Sequence, residues 1–164
     1  MKYITLFLLN ILVFLPFPSV VTSFAAEKNN SSRHFNVGDS GLAMQGYDPV
    51  SYFSGIPLTG KLEFTATHGG ITYRFASQKT MNQFVSEPDK YIPAYGGWCA
   101  WAMLDGEKVD IDPERFKVID GINYLYYDGF WGNTLKKWEK RAEKEGEAAL
   151  VRQSAGHWQK IVSR

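Results

Sequence analysis

An Asp-Gly pair, Asp120-Gly121, lies between two alternating runs, Arg115-Phe116-Lys117-Val118-Ile119 and Ile122-Asn123-Tyr124-Leu125-Tyr126-Tyr127. The tightest hairpin turns need positive φ at both central residues, which Asp and Gly tolerate and bulky side chains do not. The pattern therefore predicts a β-hairpin. A second hairpin is predicted earlier in the chain. Leu62-Glu63-Phe64-Thr65-Ala66-Thr67 alternates apolar and polar, His68-Gly69-Gly70 turns, and Ile71-Thr72-Tyr73-Arg74-Phe75 alternates again. Two hairpins commit the chain to antiparallel pairing, and the remaining segments must cover the faces they leave open.

The covering elements read as helices. Ser77 is a suitable N-cap for a helix over Gln78–Glu87, with Met81, Phe84 and Val85 on one face and Pro88 as its stop. Asn133 can cap a final helical region from Thr134 to about Gln153. There Leu135, Trp138 and Ala142 make a thin apolar stripe, and Gly146 is a point where it can break. Ahead of the first hairpin, Asp48-Pro49 reads as a turn or helix start, Val50, Tyr52 and Phe53 are available to a core, and residues 55–60 form a loop. No internal repeat or low-complexity segment is apparent. The expected fold class is α+β: one small domain of antiparallel hairpins packed on short helices, with a C-terminal helical region.

Residues 1–25 read as a secretory signal peptide. Lys2 gives a short positive start, Tyr3 to Leu15 is apolar except for Thr5 and Asn10, and Pro16 and Pro18 end the run. Ser23-Phe24-Ala25 puts small residues at the −3 and −1 positions of a cleavage site. The apolar run is shorter than the roughly 20 residues a membrane span needs, and no cysteine stands at the cleavage site to take a lipid anchor. The expectation is an exported chain, periplasmic or extracellular, starting near Ala26 and keeping no stable membrane anchor. Residues 26–40 are polar and aperiodic and are expected to form a flexible lead, residues 41–138 the domain, and residues 139–164 a C-terminal helical extension. Asn29-Asn30-Ser31-Ser32 carries two overlapping glycosylation sequons, which matter only in a eukaryotic secretory pathway. Losing Lys2 reduces 18 basic residues to 17, equal to the 17 acidic ones. A balanced chain lacks the basic excess of a nucleic-acid binder.

Cys99 is the one cysteine, so the chain can form no internal disulfide. It lies in Tyr91-Ile92-Pro93-Ala94-Tyr95-Gly96-Gly97-Trp98-Cys99-Ala100-Trp101-Ala102-Met103, where a glycine pair permits unusual backbone and aromatic residues surround a soft sulfur ligand.

Four motifs carry a family resemblance. They are Gly46-Tyr47-Asp48-Pro49-Val50-Ser51-Tyr52-Phe53, then Gly70-Ile71-Thr72-Tyr73-Arg74-Phe75-Ala76-Ser77 with Phe84, Pro88 and Tyr91. Tyr95-Gly96-Gly97-Trp98-Cys99-Ala100 is the third, and Asp112-Pro113 with Asp120-Gly121 the fourth. In this order, over roughly Gly41 to Trp138, the chain resembles an exported YHS-domain protein, and the closing Trp158-Gln159-Lys160-Ile161 is family-like too. The resemblance implies a non-enzymatic binding or accessory module that handles a soft metal, copper first. Short YHS domains place metal-binding cysteines where this chain has Ser51, Ala76 and Thr80. A hydroxyl or methyl cannot replace thiolate in a soft site, so that cluster does not carry over and only Cys99 matches.

The candidate copper(I) ligands are therefore Cys99 with His68 and Met103, or Met44 in place of Met103. Cys99 and Met103 would share a face if the stretch is helical. The alternative is that Cys99 is a small buried hydrophobe, Met103 a core filler and His68 a turn residue. Zinc is disfavoured by the lack of paired ligand spacing, and covalent haem by the lack of Cys-x-x-Cys-His. A nucleophilic Cys99 with His68 or His157 lacks any surrounding enzyme signature. Tyr91, Tyr95, Trp98, Trp101, Tyr124, Tyr126 and Tyr127 could line a pocket for a small apolar ligand, or present a surface to a protein partner, in a metal-free interaction module. They could equally be core. Asp105, Glu107, Asp110, Asp112 and Glu114 lack the order of a calcium loop and read as a solvated acidic segment.

Overall fold

The computed structural model describes residues 32–38 and 40–164. The expected signal peptide, its cleavage site and the sequons from Asn29 to Ser31 lie outside the described residues. The rest is an α+β domain of two antiparallel hairpins and four helices. Strands β1 (Lys61–His68) and β2 (Ile71–Phe75) form the first hairpin, β3 (Asp112–Ile119) and β4 (Ile122–Tyr126) the second. Helices α1 (Gln78–Ser86) and α2 (Pro88–Tyr91) follow the first, and α3 (Thr134–Glu145) and α4 (Glu147–Val162) follow the second.

Both turns have the predicted chemistry. Gly69 and Gly70 take φ of 58° and 84°, and Asp120 and Gly121 take 50° and 76°, the pair of left-handed residues that matches strand twist. Ser77 caps α1 through a reciprocal box, its Oγ accepting from the Thr80 N–H at 3.2 Å while Thr80 Oγ1 accepts from the Ser77 N–H at 3.3 Å. Asn133 Oδ1 accepts from the Lys136 N–H at 3.0 Å to cap α3. Gly146, with φ of 82°, divides the C-terminal region into two helices. The helix stops just before Pro88, with Glu87 out of helical geometry at φ −142°, and Pro88 also opens α2 from the first helical position, where its missing N–H is no loss. Leu62 is exposed rather than inward, because a register shift between Lys61 and Thr65 slips the strand's alternation. An equivalent shift between Asp112 and Phe116 begins β3 three residues before the predicted Arg115.

These matching irregularities belong to an internal repeat that the sequence conceals. The 3₁₀ turn Ala43–Gly46 recurs 51 residues on as Ala94–Gly97, Ser51–Ser54 as Ala102–Asp105, β1 as β3 and β2 as β4. The backbone repeats in detail. Met44 and Gln45 have φ of 53° and 54°, and their counterparts Tyr95 and Gly96 have 55° and 61°. Asp48 N–H donates to Leu58 C=O at 2.8 Å as Cys99 N–H does to Val109 C=O at 3.0 Å; Gly55 N–H donates to Tyr52 C=O as Gly106 N–H does to Met103 C=O. The correspondence then jumps. The caps Ser77 and Asn133 are 56 residues apart rather than 51, so residues 128–132 are an insertion in the second unit.

Each unit builds a core, and the second hairpin lies between them. Ile71, Tyr73 and Phe75 on one face of β2 pack with Tyr52, Phe84, Cys99 and Leu125 in the first core. Phe84 is the buried residue of α1, its ring centroid 4.6 Å from Tyr73 and 5.1 Å from Phe75. Burying it contributes about 2–3 kcal/mol. On β4 successive side chains alternate faces: Leu125 enters the first core while Tyr124 and Tyr126 enter the second with Tyr95, Met103, Leu104, Trp138 and Leu150.

Two expected boundaries shift as a result. Over residues 32–38 the expected flexible lead is pinned: Asn36 N–H donates to Gly96 C=O at 2.8 Å, its Nδ2 to Asp110 Oδ1 at 2.9 Å, and Trp98 Nε1 to His34 C=O at 2.7 Å. The C-terminal segment is likewise part of the domain, since Leu150 and Ser154 are fully buried and Trp158 packs on the second core.

Candidate functional site

Cys99 follows the repeated left-handed turn and occupies the position that Asp48 holds in the first unit. Its N–H donates to Val109 C=O and its C=O accepts from Met103 N–H at 3.0 Å, a single helical turn, yet Cys99 packs in the first core and Met103 in the second. The Sγ is fully buried, 3.4 Å from Thr134 Oγ1. The comparison with Asp48 explains this arrangement. The Asp48 carboxylate accepts from the N–H groups of Val50 and Ala76, each at 2.9 Å. Tyr127, the counterpart of Ala76, instead donates its N–H to Thr134 Oγ1 at 2.8 Å. Thus in the second unit a hydroxyl takes the strand-end N–H, and a thiol fills the space of the carboxylate beside it.

The other proposed ligands stand elsewhere. His68 ends β1, half-exposed, with Nε2 3.7 Å from Asp89 Oδ1 and its ring edge-on to Phe84 at 6.3 Å. Met103 is buried in the second core, whereas Cys99 and Met44 belong to the first. No hydrogen bond, ion pair or ring contact joins His68 to Cys99, Met103 or Met44. Among the described residues no three His, Cys, Asp or Glu side chains gather as a metal could require. A copper(I) ion needs its soft donors at one point; the structure puts Met44 in the same core as Cys99, and His68 and Met103 in other surroundings.

These surroundings give a direct expectation for the thiol. A disulfide reagent such as 5,5′-dithiobis(2-nitrobenzoate) should leave Cys99 unmodified in the folded chain and titrate it fully in denaturant. Cys99→Ser, whose hydroxyl retains Thr134 as a partner, should cost about 1–2 kcal/mol. Prompt labelling of the folded chain would defeat the structural reading of Cys99.

Of the candidate aromatic residues, Tyr91 joins the first core, edge-on to Phe53, and Tyr124 and Tyr126 lie in the second. Trp101 bridges the two cores, and Tyr127 packs against the first. Tyr95 instead helps line a cleft of about 350 Å³ with His34, Phe35, Ile92, Pro93, Gly96, Trp158 and Val162. Gly96 forms part of its floor. A Cβ there would meet Trp158 Cη2 and the His34 carbonyl oxygen at 3.1 Å, so glycine's bareness allows the N-terminal segment and α4 to close over the turn. Trp158 stands edge-on to His34 and tilted to Tyr95, 6.3 Å from each.

The charge at the cleft is positive. His34 also lines an adjoining hollow with Arg33, Lys108, Ile161 and Arg164. Arg33 Nε donates to His34 Nε2 at 2.9 Å, and Lys108 Nζ lies 3.5 Å from His34 Nδ1 and 5.6 Å from the centre of the Trp98 ring. Burial first, then Lys108 and Arg33, pushes the His34 imidazole below its ordinary range. Burial and Arg33 push Lys108 down in turn. Among the described residues no carboxylate side chain lines the hollow. Of the acidic segment, Asp110 is engaged with Asn36 and the Ile111 N–H and Asp112 with the Glu114 N–H and Arg115, while Asp105 lines a neighbouring hollow with Ile161 and Arg164.

Half of the cleft residues, His34, Phe35, Trp158 and Val162, escaped the sequence reading because they lie in segments expected to be a loose lead and an appended helix. The available signals were the Trp158-Gln159-Lys160-Ile161 ending and the Tyr95-Gly96-Gly97 turn. Comparison of the chain with models of known families, with curated proteins and with solved structures finds no match.

Proposed function

We propose that the protein is a metal-free binding module whose cleft accepts a small organic anion with an apolar or aromatic body. The observation carrying this reading is the junction of an aromatic cleft, His34–Tyr95–Trp158, with a hollow bearing Arg33, Lys108 and Arg164 and, among the described residues, no acidic side chain. Apolar walls with a few convergent polar groups are the usual makeup of a small-molecule site. Burial is the first cause of the depression of His34 and Lys108, and an anion at the mouth would offset the repulsion that adds to it, from Lys108 and Arg33 on His34 and from Arg33 on Lys108. The copper reading is placed below this one, because the burial of Cys99 and the separate surroundings of His68 and Met103 favour a packing role. Membership of the YHS family and export are proposed on the order of the four motifs and on the character of residues 1–25; neither decides the ligand.

The test uses 1-naphthoate, 1-naphthalenemethanol and 1-naphthylmethylammonium, one ring system with three charges, titrated into the full chain by calorimetry. Naphthoate should bind at least about tenfold tighter than the cation, and Trp158→Ala or Lys108→Ala should weaken it by about tenfold or more. Equal binding of anion and cation, or indifference to both substitutions, would overturn the reading.

The pH dependence has a defined sign. In the free protein burial first, and then Lys108 and Arg33, hold the His34 pKa below its usual value, and a bound carboxylate would raise it. Between the free and bound values binding takes up a proton, so affinity should rise as pH falls through that window and level off below the free-state pKa. His34→Gln should flatten the profile.

A further inference from the structure

The five-residue insertion that sets the second unit apart from the first carries the two most exposed aromatic side chains among the described residues. Phe130 is 89 % exposed and Trp131 73 %, their rings edge-to-face with centroids 5.0 Å apart. The first unit passes from Ala76 directly to its cap Ser77, so no such loop is needed to join a strand to a capped helix here. Nor is the loop loose. Gly132 N–H donates to Gly129 C=O at 2.8 Å, Asn133 Nδ2 to Asp128 Oδ2 at 2.8 Å, and Lys137 Nζ to Trp131 C=O at 2.8 Å. A tight, internally bonded turn therefore holds two large apolar rings in water, at a cost that folding does not require.

The helix it feeds supplies the complementary charge. In α3, Lys136, Lys140 and Lys144 recur at four-residue spacing and share one face. None of the three forms an ion pair with another described residue. Lys137 lies beside them, bonded to the loop itself. Arg141 is occupied by Glu145, and Glu139 and Glu143 form a separate row on the flank. The loop's acid, Asp128, is neutralised by Arg115 at 2.8 Å. The matching helix of the first unit, α1, has Lys79 as its only basic residue. Exposed aromatic rings and a lysine row thus both distinguish the second unit from the first.

We propose that the residue 128–132 loop and the lysine row of α3 form a peripheral docking surface for an anionic lipid bilayer. Trp and Phe insert at the boundary of headgroups and acyl chains, while lysines beside them are drawn to anionic headgroups. No helix among the described residues is long and apolar enough to cross a membrane, so the contact is superficial and reversible. An acidic protein surface or a second copy of the chain would bury the same rings, and the experiment separates these.

The full chain is mixed with phosphatidylcholine vesicles, with or without phosphatidylglycerol, some bearing brominated acyl chains that quench nearby indoles. Phosphatidylglycerol vesicles should quench a component of the tryptophan emission that is absent from Trp131→Phe. Pairing Phe130→Ser with Trp131→Ser should weaken site-specific docking by about tenfold or more. Lys136→Gln, Lys140→Gln and Lys144→Gln together should remove its preference for the anionic lipid, as should raised salt. These side chains are exposed, so circular dichroism and melting should match the parent chain. Absence of Trp131 quenching, or equal quenching on neutral vesicles, overturns the proposal, whatever residues 1–25 contribute to sedimentation. So does self-association that the double serine variant abolishes while Trp131 stays unquenched, which would assign the rings to a second copy.

Discussion

Replacing Asp48 by alanine is expected to destabilise the protein by about 2–4 kcal/mol, as its side chain ties the turn at Val50 to the strand end at Ala76. The carboxylate is fully buried, with Oδ1 on the Val50 N–H and Oδ2 on the Ala76 N–H, both at 2.9 Å. Its backbone continues the network. Asp48 C=O accepts from Ser51 Oγ at 2.7 Å, Ser51 Oγ accepts from Leu58 N–H at 2.9 Å, and Asp48 N–H donates to Leu58 C=O at 2.8 Å. Alanine leaves two N–H groups without partners, one fully buried, and no nearby hydroxyl can take over. The second unit has that substitute in Thr134, which is why it tolerates Cys99 at the equivalent place. Hydrogen bonds to an ionised acceptor are stronger than neutral ones, though burying the charge offsets part of the gain. Asp48→Asn keeps one acceptor and should recover part of the loss. A urea titration would show a lower midpoint with an unchanged slope; a shift under about 0.5 kcal/mol would mean that water replaces the carboxylate.

Asp48 also illustrates how far the sequence could be read. Asp-Pro announced a turn, but nothing local said that the carboxylate reaches Ala76 across 28 residues. The hairpins were legible because Asp120-Gly121 and His68-Gly69-Gly70 are local backbone requirements, and so were the caps Ser77 and Asn133. The repeat was hidden for the opposite reason. What is duplicated is backbone conformation, and identity survives at few places: where conformation demands it, at Gly46 and Gly97, Gly55 and Gly106, Gly70 and Gly121, and at scattered pairs such as Ile71 with Ile122 and Tyr73 with Tyr124. Elsewhere the pairs diverge as far as Asp48 with Cys99 or Arg74 with Leu125. The cleft was hidden because its walls, His34 and Trp158, are far apart in sequence and meet over a turn whose shape depends on Tyr95 accepting φ of 55°. Cys99 drew notice for its chemistry, and the fold uses it for its volume.

Trp138→Ala should have the larger effect, about 3–5 kcal/mol, lowering the melting temperature by on the order of 10 °C. Trp138 is fully buried, stacked on Tyr124 at 6.5 Å and edge-on to Tyr126 at 5.6 Å. Its Nε1 donates to Glu147 Oε1 at 3.2 Å, and the same oxygen accepts from Lys117 Nζ. One indole thereby holds β4, α3, the start of α4 and, through Glu147, β3. Trp138→Phe keeps most of the packing and leaves Glu147 to Lys117, so it should cost less than half as much. Because the two cores are packed as separate clusters that meet at the second hairpin, the loss should be uneven. Hydrogen exchange should quicken through α3 and α4, while β2 and α1, organised around Phe84, keep most of their protection. Trp158 and Val162 belong to α4 and to the cleft, so naphthoate binding should fall with helix protection. Uniform acceleration across both hairpins would show instead that the units unfold as one, the second hairpin coupling the cores too tightly for either to open alone.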